Sequence, residues 1–160
     1  MDDRAARLVA CLKEKGLSLS VAESCTGGAL AAAVVAVPGA SAVFAGGVVC
    51  YQTRLKESLL GVSAALIAEK TVVSSEVARE MAVGCAARLQ TDCALSVTGL
   101  AGPPSPDDPA PVGTVYIGLR TPAGTQAKRF LFAGDRAAVR AAAVTAAMDC
   151  LLAALQEPQV

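Results

Sequence analysis

Leu8, Val9 and Leu12 recur at helical spacing among polar and charged residues between Asp2 and Lys15, which predicts an amphipathic first helix. Gly16 stands where such a helix needs a left-handed closing residue. The period then changes. Leu17, Leu19 and Val21 alternate with Ser18, Ser20 and Ala22, the pattern of a strand. A polar turn, Glu23-Ser24-Cys25-Thr26-Gly27-Gly28, leads from it into an alanine-rich helical run from Ala29 to Val37, which Pro38-Gly39 ends. A second β-rich segment covers Val43 to Tyr51. It is followed by a helix over Thr53 to Leu60 that Gly61 closes, and by a short helix over Ser63 to Glu69. Ser74 and Ser75 are capping residues with Glu76 in the first turn, and Val77, Met81, Cys85 and Leu89 form the buried stripe of the helix they open.

The short apolar run from Cys93 to Val97 reads as a fully buried strand. It ends in a second glycine loop, Thr98-Gly99-Leu100-Ala101-Gly102-Pro103, and a proline-rich acidic stretch. Val112 to Leu119 and Ala127 to Phe132 are β-patterned runs on either side of Thr121-Pro122-Ala123-Gly124, which is hairpin chemistry. Gly134-Asp135 opens a final helix that runs to Leu155. Strands alternate with helices early and a hairpin comes late. That order predicts an α/β fold in three layers, α/β/α, with a mixed, mostly parallel sheet and a late antiparallel hairpin, in one domain over residues 1–160.

Composition narrows the function. A chain of 160 residues with 54% hydrophobic and 18% charged residues resembles a globular domain, not a disordered segment. Its 14 basic and 14 acidic residues cancel, so no electrostatic footprint points to nucleic acid or an anionic membrane as partner. Histidine is absent, which removes Ser-His-Asp and Cys-His machinery and His-ligated zinc together. A hydrolase built on this chain must draw its base from lysine, tyrosine or a carboxylate. The six cysteines include no C-x-x-C pair and read as reduced, core-filling residues. Met1-Asp2-Asp3-Arg4 does not begin a signal peptide. Ser24 to Thr53 carries no charge and exceeds the ~20 residues that a membrane helix needs, but Pro38-Gly39 and Gly46-Gly47 break it. A cytoplasmic location without metal or cofactor is expected.

Ligands of open α/β sheets sit beyond the carboxyl ends of the strands, where both glycine loops are predicted. Backbone N–H groups of either loop suit an anion or a developing oxyanion, although glycine turns between strand and helix are more often purely structural. Ser24 stands at the strand's end, where a nucleophile is exposed, and Cys25 beside it lies at a helix start, where thiolates are favoured. Lys56, 32 residues after Ser24 and one turn into the helix that leaves the second strand, is the best candidate base. By itself it reads more readily as one more solvated helix lysine, because lysines are mostly exposed. Arg136 and Arg140 lie four apart on one helical face, either as an anion site or as a solvated pair.

A series of blocks in order identifies a family. Val21-Ala22-Glu23-Ser24-Cys25-Thr26-Gly27-Gly28, Tyr51 with Lys56, Val73-Ser74, Thr98-Gly99-Leu100-Ala101-Gly102-Pro103, Pro111-Val112-Gly113-Thr114-Val115 and Gly134-Asp135-Arg136 together resemble the CinA carboxyl-terminal domain family. The resemblance spans nearly the whole chain. It implies a nicotinamide mononucleotide deamidase, a serine amidohydrolase with a Ser/Lys dyad in pyridine-nucleotide salvage. Carried onto this sequence, the nucleophile is Ser24 and the base Lys56, with Tyr51 close by. The nucleotide substrate would be held by Cys25, Thr26, Gly27, Gly28, Thr98, Gly99, Gly102, Arg136 and Arg140, with the division of oxyanion and phosphate between the two loops left open.

Three positions depart from the family's pattern: Thr53 in place of asparagine, Pro104-Ser105-Pro106-Asp107-Asp108 in place of a glycine-containing loop, and Ala110 in place of lysine. They leave a second reading, a paralogue that binds a nucleotide or a partner without hydrolysis, and a weaker third, a cysteine-dependent activity at Cys25. Many family members carry a separate amino-terminal domain for which these residues have no room, so the domain is expected to act alone. Its 3% aromatic content and alanine-rich helices suggest close helix packing in a homo-oligomer.

Overall fold

The structure, a computed structural model, describes residues 3–157; the expected helix start at Asp2 lies outside them. Helix α1 (Arg4–Lys15) buries Leu8, Val9 and Leu12 and closes on Gly16, whose φ of 64° returns its N–H to the carbonyls of Leu12 and Lys13. Strand β1 (Leu19–Glu23) follows. All five of its residues are buried, so the alternation expected from Leu17 to Ala22 describes neither its limits nor its faces. The reason is its central position. Leu19 and Val21 enter the core on one side of the sheet and Ala22 enters the core on the other. Ser20 is a buried polar residue, satisfied by Thr91 Oγ1 at 2.7 Å and by the Cys85 thiol at 3.3 Å.

The sheet contains β1, β2 (Phe44–Val49), β3 (Cys93–Gly99), β4 (Thr114–Thr121) and β5 (Gly124–Leu131), in the order β2-β1-β3-β4-β5. β1 is parallel to both β2 and β3, whereas β4 is antiparallel to β3 and β5 is antiparallel to β4. The fold is therefore the expected mixed α/β arrangement, with the parallel strands first and the antiparallel hairpin at one side. The hairpin strands run further towards the turn than the sequence pattern suggests, while β4 starts two residues later, at Thr114, and β5 stops one residue earlier, at Leu131. Thr121 pairs with Gly124, which leaves only Pro122 and Ala123 in the turn.

Helices α1, α2 (Ala29–Val35) and α6 (Arg136–Gln156) share one core with β1, β3 and β4. Helices α3 (Thr53–Leu60), α4 (Ala64–Lys70) and α5 (Ser75–Leu89) build the other. The side chains of Ser63, Ser74 and Asp135 accept the N–H groups of Leu66, Val77 and Ala138, capping α4, α5 and α6. Helix α2 stops two residues short of the Val37 expected, ahead of Pro38 and a short 3-10 turn at Ala40–Ala42. Leu89 of the predicted α5 stripe is only half-buried, packed against the second core. α3 and α5 approach so closely that a Cβ at Gly84 would overlap the Leu60 carbonyl. The uncharged stretch from Ser24 to Thr53 divides into a loop, α2 and β2. α6 is long and apolar enough to cross a bilayer, but Val139, Ala143, Leu151 and Leu155 pack into the first core. All six cysteines are free thiols, Cys11 half-buried and the other five buried.

Candidate active site

At the carboxyl ends of β1 and β3 lies a cleft of about 310 Å³. Ser24 follows β1 directly and is tied to the neighbouring strand by donating its N–H to the Val97 carbonyl at 3.1 Å. Lys56 reaches the same point from the first turns of α3, whose start is fixed by the chain leaving β2. Its side chain is 1% exposed, and its Nζ lies 2.9 Å from Ser24 Oγ, 2.8 Å from the Cys50 carbonyl and 3.4 Å from the Tyr51 carbonyl. The common fate of a helix lysine, a solvated ammonium, is excluded here. None of these partners is a carboxylate, so burial is uncompensated and pushes the Lys56 amine down from its ordinary 10.5.

The three contacts also define what the amine can do. A neutral amine has two N–H groups and one lone pair. Nζ donates to Ser24 Oγ and to the two carbonyls; once the amine has lost a proton, the two carbonyls can take its remaining N–H groups and its lone pair can face the Ser24 hydroxyl. Cys25 is next to this pair and lines the cleft, but burial pushes its thiol up to about 11. It is a protonated neighbour near neutral pH, which removes the expectation of a helix-start thiolate.

Glu23, which the sequence reading passed over as part of the turn, organises the first loop. Its side chain is 1% exposed and accepts the N–H groups of Gly28 and Leu30 on one oxygen, at 3.1 and 3.0 Å, and of Ala31 on the other, at 2.8 Å. The start of α2 is thus already occupied by a carboxylate of the chain itself. Gly27 donates to the Ser24 carbonyl and Ala29 to the Thr26 carbonyl. Neither Thr26, Gly27 nor Gly28 lines the cleft. In this structure these three residues shape the turn. The available signal was an acid at the end of an apolar strand, just before a helix with no other acidic residue in its first turn.

Arg140 also lies outside the cleft lining. Its Nε and one terminal nitrogen donate to the Cys25 and Thr26 carbonyls, at 3.0 and 3.1 Å, and clamp the turn after Ser24 to α6. Arg136, one turn earlier, does line the cleft. It donates to the Tyr51 hydroxyl at 2.9 Å and to the Gly102 carbonyl, joining the segments that follow β2 and β3. Tyr51 is 56% exposed at the cleft mouth; its carbonyl, not its hydroxyl, meets Lys56.

Thr98, Gly99 and Gly102 line the opposite wall, where the Thr98 hydroxyl is spent on the Val72 carbonyl at 3.0 Å. Leu100 donates its N–H to Thr114, while those of Ala101 and Gly102 have no acceptor among the described residues. Thr53 and Ser105 face the cleft, so two of the three departures from the family pattern touch it. Ala110 does not; its N–H donates to Asp108 in the adjoining loop. Among the lining residues Lys56 and Arg136 are the basic side chains and no acidic one is present.

Comparison with known proteins gives one consistent result. Residues 1–155 match the CinA C-terminal domain family. A CinA-like protein of Geobacter sulfurreducens is 48% identical over 151 residues, which cover 94% of this chain and 36% of that protein. One from Citrifermentans bemidjiense is 50% identical with the same coverage. The chain thus spans about a third of the length of these curated relatives. Among solved structures, the competence damage-inducible protein A of Klebsiella pneumoniae superimposes with a TM-score of 0.94 at 37% identity, covering 98% of both chains. The competence or damage-inducible protein of Enterobacter asburiae does so with a TM-score of 0.93 at 33% identity, covering 96% of this chain and 97% of the other. The ordered sequence blocks, the sheet that carries them and these matches agree: the chain belongs to the CinA C-terminal domain family.

Proposed function

We propose that the cleft hydrolyses the carboxamide of nicotinamide mononucleotide, releasing nicotinate mononucleotide and ammonia, with Ser24 as nucleophile and Lys56 as base. The observation that carries this reading is the buried Lys56 amine, 2.9 Å from Ser24 Oγ and without a carboxylate partner. Lys56 accepts the Ser24 proton as the oxygen attacks the carboxamide carbon. The negative oxygen that forms needs N–H donors. Because the start of α2 is taken by Glu23, the donors at hand are the Cys25 N–H beside the nucleophile and those of Ala101 and Gly102 across the cleft. Collapse of the tetrahedral adduct breaks the carbon–nitrogen bond as Lys56 returns its proton to the leaving ammonia. A water then loses a proton to Lys56 and attacks the ester, freeing the carboxylate and restoring Ser24.

The charge of the cleft fits the same substrate. Its basic side chains, with no acidic one beside them, suit a phosphate-bearing molecule, and Arg136 is the group available to the phosphate. The test is ammonia release from nicotinamide mononucleotide by the purified protein beside Ser24→Ala and Lys56→Ala. Each variant is expected to lose about three or more orders of magnitude in kcat, the scale at which a nucleophile and its base contribute, with its circular dichroism unchanged. Equal release by either variant overturns the dyad. Nucleotide binding by a protein that releases no ammonia overturns hydrolysis and leaves a binding domain.

A further inference from the structure

We propose that Arg140 is a positioning residue for hydrolysis, which strengthens the oxyanion donor beside Ser24 through two peptide groups without touching the substrate. The proposal rests on the reading of the cleft as a Ser/Lys amidohydrolase. Arg140 stands in α6 one turn after Arg136, on a segment that Val139 and Ala143 fix in the first core. Its Nε donates to the Cys25 carbonyl at 3.0 Å and one terminal nitrogen to the Thr26 carbonyl at 3.1 Å. No carboxylate among the described residues is paired with it, so both hydrogen bonds carry an unneutralised positive charge. That charge is felt at the turn: with those of Lys56 and Arg136, it works against the burial that raises the Cys25 thiol.

The Thr26 carbonyl belongs to the same peptide group as the Gly27 N–H, and that N–H donates to the Ser24 carbonyl at 3.0 Å. The Ser24 carbonyl belongs to the same peptide group as the Cys25 N–H, which donates to no oxygen among the described residues. Cys25 itself lines the cleft. The guanidinium, two peptide groups and an open N–H therefore form one head-to-tail chain. Each hydrogen bond in such a chain polarises the next, by about 10–30% per bond. Electron density drawn towards the Thr26 oxygen makes the Gly27 N–H a better donor, and the Cys25 N–H becomes a better donor in turn. Glu23 does not interrupt the chain, because its oxygens take the N–H groups of Gly28, Leu30 and Ala31. The chain ends where the carboxamide oxygen becomes negative, so its effect is larger on the transition state than on the bound amide.

The experiment compares wild type, Arg140→Ala and Arg140→Gln, which keeps an amide donor and drops the charge, in two measurements. The first is ammonia release from nicotinamide mononucleotide. Arg140→Ala is expected to lower kcat about tenfold, less than the roughly 10²–10³ lost when a donor is deleted outright, with KM within about twofold of wild type. A raised KM with unchanged kcat would make Arg140 a substrate-binding group and overturn the proposal. The second measurement uses the mononucleotide with a carbon-13 aldehyde in place of the carboxamide. Ser24 Oγ bonds to the aldehyde carbon, the carbonyl π bond breaks, and the former carbonyl oxygen takes a proton to become a hemiacetal hydroxyl. The pH at which that hydroxyl ionises, read from the carbon-13 shift, is expected to rise by about one pH unit in Arg140→Ala, the equivalent of a tenfold loss, and to rise in Arg140→Gln as well. An unchanged ionisation in a folded variant overturns the relay even where kcat falls, and Arg140→Gln decides if Arg140→Ala does not fold. Wild type that neither releases ammonia nor forms the adduct overturns the hydrolytic reading and the relay with it; wild type that does both, matched by Arg140→Ala, overturns the relay alone.

Discussion

Burying a lysine without a counter-charge costs stability, and Lys56 makes that cost measurable. Its amine is pushed below 10.5 by desolvation, so over the interval between its folded-state value and 10.5 the unfolded chain holds a proton that the folded chain has released. Stability contributed at this site therefore rises with pH across that interval, and the full penalty is present below it. Denaturant unfolding of the wild type and of Lys56→Met is expected to show the difference between them shifting in favour of the wild type as pH rises towards 10.5. A difference independent of pH would mean that Lys56 keeps its proton in the folded state. Cys25 makes the opposite case: a thiol near 11 is neither nucleophile nor base at neutral pH. Cys25→Ala is expected to keep ammonia release within about twofold of wild type, inside the range of a minor packing change, and its loss would reopen a cysteine mechanism.

At the scale of elements, the turn that follows Ser24 is held from both ends. Glu23 takes three N–H groups at the start of α2, and Arg140 of α6 takes two carbonyls of the turn. Glu23→Gln keeps the shape but weakens charge-assisted hydrogen bonds, so it is expected to cost about 1–3 kcal/mol in urea unfolding. Hydrogen exchange should speed up at Gly28, Leu30 and Ala31; unchanged exchange there would mean that the carboxylate does not hold the helix start. The order and type of the elements were legible in the sequence because hydrophobic period, caps and glycine turns are local signals. The faces of β1 were not. Ser18 and Ser20 looked outward because they are polar, yet Ser20 is buried because hydrogen-bonding partners from Thr91 and Cys85 arrive from residues distant in the chain.

For the molecule as a whole, Arg136 is the joint at the cleft mouth. From the start of α6 it reaches the segment after β2 through the Tyr51 hydroxyl and the loop after β3 through the Gly102 carbonyl. Arg136→Ala is expected to raise KM for the mononucleotide by about tenfold or more, the worth of one charge-assisted contact, with a smaller effect on kcat. The same substitution should leave turnover of the dephosphorylated nucleoside little changed. Equal losses on both substrates would show that Arg136 only holds the mouth together. Salt should weaken mononucleotide binding more than nucleoside binding, because the mouth is exposed and its charge is screened.

The sequence by itself determined the class of fold, the position of both loops beyond strand ends, and the exclusion of every histidine-dependent mechanism. Those conclusions need only local periodicity and composition. It also singled out Ser24 and Lys56, but left Lys56 divided between base and solvated lysine until a family resemblance was added. Only the tertiary structure shows Lys56 buried against Ser24 and not solvated, because its burial and its approach to Ser24 depend on β1 and β2 lying side by side. The tertiary structure also gave Thr26, Gly27, Gly28 and Arg140 their places. A loop's free N–H groups can be counted in a sequence, but whether a buried carboxylate such as Glu23 has already taken them is settled by distances in space.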